Sequence, residues 1–85
     1  MNRKQQRIFE AVRAAPTGAN ILFADLEKLT CALGGEVVEG SGSRVKFLLN
    51  GAEFFAHRPH PQKEAKKYQV DNFREFLKLA GIKNE

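Results

Sequence analysis

Two histidines, His57 and His60, are side chains of this sequence whose ordinary pKa lies near neutrality. Cations surround them. Arg58, Lys63, Lys66 and Lys67 lie in the same segment, and Arg44 and Lys46 lie in a run a dozen residues earlier. Imidazoles and cations together are what metal-free cleavage of an RNA strand requires. A base must take the ribose 2′-hydroxyl proton and an acid must protonate the leaving 5′-oxygen. Positive charge must then stabilise the phosphorus-centred transition state. Pro59 and Pro61 stiffen the segment, which lowers the entropy cost of presenting its cations to phosphate. The same composition also describes a solvated charged loop with structural histidines, so spacing alone leaves both readings open.

Other chemistry fits poorly. No Gly-x-Gly-x-x-Gly precedes a helix and no phosphate-loop lysine motif is present. Cys31 is the one cysteine, which excludes an intrachain disulfide and a cysteine-based zinc cage. It lies within an amphipathic helical stretch, and a buried structural thiol is expected there. A metal site would have to combine His57 and His60 with carboxylates that are scarce nearby, so no metal and no other cofactor is expected.

The elements that must position these residues follow from periodicity. Ile8, Phe9 and Val12 form one stripe of a helix over Arg3 to Ala15, capped by Asn2 and stopped by Pro16-Thr17-Gly18. Leu22, Leu26, Leu29 and Leu33 mark a second helix from Phe23 to Leu33, ended by Gly34-Gly35. Asn50-Gly51 predicts a two-residue type I′ hairpin. Counting outward from that turn, Phe47 faces Phe54, Lys46 faces Phe55 and Arg44 faces His57. Val45, Phe47, Leu49, Ala52, Phe54 and Ala56 then share a core face. Arg44, Lys46, Leu48, Glu53, Phe55 and His57 share the other. A short strand over Glu36 to Glu39 adds a third member. Arg58 to Tyr68 reads as an exposed loop, and a last helix over Asp71 to Ala80 carries Phe73, Phe76, Leu77 and Ala80 on one face. The fold class is α+β: a three-stranded antiparallel sheet with helices on one face.

The chain has 85 residues and is expected to form a single domain over 1–85. Its net charge of +4 is unevenly distributed. Two segments are basic (Arg3, Lys4, Arg7 and Arg13; then Arg58, Lys63, Lys66 and Lys67). Asp25, Glu27, Glu36 and Glu39 make the stretch between them acidic. That polarity suits a polyanion such as nucleic acid on one side. No apolar run approaches the ~20 residues of a membrane span and no signal-peptide core opens the sequence, so a cytoplasmic protein without membrane contact is expected.

From Phe23 to Ile82 the sequence resembles the HicA toxins. The resemblance rests on a helix ending Ala32-Leu33-Gly34-Gly35, a glycine-serine turn, a hairpin, a proline-histidine loop and a final helix ending Ala80-Gly81-Ile82. It implies a fold like the double-stranded RNA-binding domain, here with an extra N-terminal helix. It also implies an mRNA interferase (a metal-independent endoribonuclease, hence a hydrolase) of a type II toxin–antitoxin system, held inactive by a HicB-type antitoxin. The family's glycine-serine-histidine motif supplies a catalytic histidine; the matching positions here are Gly42, Ser43 and Arg44. The second, proline-flanked histidine region matches Pro59-His60. Arginine stays protonated and cannot act as a general base. Three possibilities follow: His57 supplies the imidazole from across the hairpin, His60 supplies it from the loop, or the protein binds RNA or its antitoxin without cutting. The expected site is therefore His57, His60 and Arg44 for catalysis, with Ser43, Lys46, Arg58, Lys63, Lys66 and Lys67 for RNA binding.

Overall fold

The computed structural model describes residues 1–82; positions 83–85 lie outside the described residues. The element order is α1 (Arg3–Arg13), α2 (Phe23–Ala32), β1 (Glu36–Glu39), β2 (Arg44–Leu49), β3 (Ala52–His57) and α3 (Lys67–Leu79). The strands form one antiparallel sheet in the order β1-β2-β3. The hairpin register matches the count from the turn at every position, including Phe47 opposite Phe54 and Arg44 opposite His57. Asn50 and Gly51 take the positive φ values, 49° and 83°, that a type I′ turn requires. The result is an α+β fold that agrees with the double-stranded RNA-binding-domain-like architecture implied by the resemblance.

Alternation along the strands divides the sheet into two unlike faces. Val45, Phe47, Leu49 and Phe54 are buried beneath the helices. Phe47 is the hub, with the rings of Phe23, Phe54, Phe73 and Phe76 between 5.2 and 6.3 Å away, all near edge-on. That arrangement places positive ring edges on negative ring faces. Helices α2 and α3 supply Leu26, Leu29, Val70 and Leu77 to the same core, and α1 adds Ile8, Phe9 and Val12. Its cap is the expected one: Asn2 Oδ1 accepts from the Gln5 amide at 2.8 Å.

Three expectations need correction. The buried stripe of α2 runs through Phe23, Leu26, Leu29 and Thr30, whereas Leu22 is exposed. Leu22 has extended backbone (φ −74°, ψ 137°) and lies before the first helical turn, so helical spacing does not govern it. Cys31 is exposed rather than buried. One residue past Thr30 is a rotation of about 100° around the helix, away from the core. Finally, α3 starts at Lys67, four residues earlier than Asp71, so Lys67 and Tyr68 belong to a helix and not to a loop.

Candidate active site

The end of β3 sends adjacent residues to opposite sides. His57 is exposed on the open face, in register with Arg44, while Arg58 shares the parity of Phe54 and Ala56 and points to the helix side. Its guanidinium is held there by two carboxylates: Glu27 of α2 at 2.6 Å and Glu39 of β1 at 2.5 Å. These charge-assisted bonds hold the Glu39 carboxyl below its ordinary pKa and raise that of Arg58. Arg58 thus ties α2, β1 and the end of β3 together through its guanidinium, while it also lines the pocket that holds the two histidines.

His57 and His60 are brought together. Both line a pocket of about 330 Å³ whose wall also includes Ser43, Arg58, Lys66, Tyr68 and Gln69. Ser43 Oγ lies 3.3 Å from His57 Nδ1, near the long end of a hydrogen bond. Arg44 and Lys46 stand outside the pocket, on the open sheet face beside it. Lys46 Nζ lies 5.9 Å from the centroid of the exposed Phe55 ring. Lys63 and Lys67 are exposed and form no part of the pocket wall.

Two devices fix this pocket, and neither was among the sequence-based candidates. Gln69, buried in the first turn of α3, accepts from the Lys66 amide and donates to the His57 carbonyl, each at 2.9 Å. One side chain thus joins the end of β3 to the start of α3. A polar residue at N3 of a helix is the signal that could have revealed it, had the helix start been placed correctly. The second device is a backbone clasp. The Phe23 amide donates to the Lys63 carbonyl at 3.0 Å and the Ala65 amide to the Ile21 carbonyl at 2.7 Å. Ala65 is buried, so the basic segment is stitched to the start of α2 and is not a free loop.

Among the described residues, no three His, Cys, Asp or Glu side chains converge as metal ligands. No helix among them is long and apolar enough to cross a membrane.

No curated protein and no solved structure gives a significant match to the chain. A family model does, described as the HicA toxin of bacterial toxin–antitoxin systems, and it covers residues 23–82. That span holds α2, the whole sheet, the pocket and α3, leaving α1 outside it. The chain belongs to the HicA toxin family.

Proposed function

We propose that this protein is a toxin that binds mRNA and cleaves it without a metal, inhibiting translation until a HicB-type antitoxin covers it, and that it acts in the cytoplasm as one unit over residues 1–85. The observation that carries the reading is the position of His57. By the resemblance Ser43 and Arg44 match the last two positions of the family's glycine-serine-histidine motif, and His57 lies opposite Arg44 with its ring 3.3 Å from Ser43 Oγ. On this reading His57 supplies from β3, one strand away, the imidazole that Arg44 does not.

The chemistry needs two proton transfers and one charge clamp. His57 and His60, on the wall of one pocket, supply a base for the 2′-hydroxyl and an acid for the 5′-oxygen. The 2′-oxygen attacks phosphorus as the bond to the 5′-oxygen breaks, leaving a cyclic phosphate on one fragment and a 5′-hydroxyl on the other. Lys66 on the pocket wall and Arg44 at its edge offset the developing negative charge. Lys46, Lys63 and Lys67 lie farther along the exposed surface and would meet neighbouring phosphates.

Induction of the protein without antitoxin tests this reading, with growth and mRNA integrity followed for wild type, His57→Ala and His60→Ala. Wild type is expected to arrest growth and degrade mRNA, and His57→Ala to lower cleavage by about 10²–10⁴-fold with the fold intact. Growth arrest by all three proteins with intact mRNA would instead make the chain a non-cleaving binder. That second reading is favoured by Arg44, which stands where the resemblance implies the catalytic histidine.

A further inference from the structure

The open face of the sheet is ordered into rows by the strand register. Glu36, Leu48 and Glu53 align across the hairpin end, Val38, Lys46 and Phe55 across the middle, and Arg44 and His57 at the far end. Charge is therefore graded along the strands, acidic near the hairpin and basic beside the pocket. Two aromatic rings flank His57 where basic charge prevails. Phe55 precedes it by two residues on the same face and is 69% exposed; Tyr68, on the pocket wall, is 60% exposed. Large rings left this open in a chain that buries its other phenylalanines are well placed to receive a flat ligand.

We infer that this face and the pocket at its end take a single unpaired RNA strand, with one base stacked on Phe55 and another on Tyr68, so that the phosphate between them lies at His57. The inference deepens the proposed RNA-cleaving role and rests on it. Every base offers a π-face, and an aromatic side chain can occupy that face when the base is free of a duplex stack. Lys46, beside the Phe55 ring, and Arg44, beside His57, meet the phosphates on the way. The Glu36–Glu53 row repels the backbone and limits the footprint to the basic half of the face. Phe55 and Tyr68 are thus positioning residues that select unpaired RNA and set which phosphate reaches the imidazole.

Fluorescence anisotropy tests this with a short labelled RNA carrying 2′-O-methyl riboses, which cannot be cleaved, as a single strand and as a duplex. Phe55→Leu removes the ring but keeps an apolar strand residue, and Tyr68→Ala removes the second ring. Each is expected to weaken single-strand binding about tenfold, in the range of losing one stacked base. Phe55→Trp should bind as wild type does. Leu79→Ala, which trims another exposed apolar side chain outside this face, should also leave affinity unchanged. Urea midpoints equal to wild type would show that the variants remain folded. If wild type binds neither RNA even at low salt, the proposed function falls and this inference with it. If wild type binds RNA with the expected salt dependence while Phe55→Leu and Tyr68→Ala match it, only the stacking inference falls, and the rings belong to a protein contact. Equal affinity for duplex and single strand would also overturn it.

Discussion

His57 and Arg58 are neighbours in the chain, yet they belong to regions built on opposite terms. On the helix side polar groups are consumed by structure: Arg58 is clamped by Glu27 and Glu39, and Gln69 is buried with its hydrogen bonds made. Farther along the same side, Asp71 accepts from Thr17 at 2.5 Å and from Arg74 at 2.5 Å, fastening the segment after α1 to α3. On the open side, Arg44, Phe55 and His57 remain exposed, and Lys46 lies beside the Phe55 ring. The contrast teaches that cationic residues in one basic segment need not share a role. At the end of β3, pleat parity leaves His57 on the open face and turns Arg58 toward the carboxylates of Glu27 and Glu39.

The two sides of the sheet should differ most at the two phenylalanines of its middle. Phe47→Ala removes the hub of the aromatic core and should cost about 3–5 kcal/mol in urea unfolding. Phe55→Ala, on the open side, should change stability by less than about 0.5 kcal/mol. Equal losses would mean that the open face is packed in solution. Gln69→Leu comes next. Two hydrogen-bonded groups lose their partner, for a cost of about 1–3 kcal/mol. Because His57 and Lys66 then lose their shared tether, cleavage should drop further than stability accounts for, by up to about a hundredfold. A drop no greater than the unfolded fraction predicts would remove Gln69 from the site.

Arg58→Met should have a smaller effect, no more than about 1 kcal/mol, since the cluster is partly solvated. Its signature is in the pH dependence. Glu39 and Asp71 both have lowered pKa values in the fold, by hydrogen bonds from Arg58 and chiefly from Thr17 respectively. A lowered carboxyl pKa gives stability that is complete above the ordinary value of 4.5 for Glu39 and 3.8 for Asp71. That stability is lost as the pH falls through the folded value. Urea midpoints of wild type should therefore decline below about pH 4.5, and Arg58→Met should flatten the part of the decline that belongs to Glu39. RNA affinity should hardly move, in contrast to Lys66→Ala. That variant is expected to have the smallest energetic effect of the set: unchanged stability, and a log–log salt slope of RNA binding reduced by about 0.7. A slope altered by Arg58→Met and not by Lys66→Ala would reverse the assignment of the two cations.

Much of this arrangement was legible in the sequence, because it depends on local rules. Asn50-Gly51 sets the turn, the turn sets the register, and the register sets Arg44 against His57 without further information. The stripes of α1 and α3 follow from helical spacing in the same way. What proved illegible depends on partners far apart in the chain. The start of α3 is not legible because its first turn, Lys67 and Tyr68, is polar and follows prolines, and it is fixed by Gln69 reaching back to His57 and Lys66. The exposure of Leu22 and Cys31 is not legible either, because the exact phase of α2 depends on where the clasp with Lys63 and Ala65 releases the chain into helix.

Sequence alone thus fixes the order of the elements, the hairpin register and the pairing of His57 with Arg44. These follow from helical spacing, from φ preferences at the turn and from the two-residue period of a strand. Only the tertiary structure decided that Arg58 is occupied, that His57 and His60 share a pocket, and that Gln69 holds its two sides together. Those outcomes depend on which side chains, separated by up to 31 residues along the chain, meet when the helices settle on one face of the sheet.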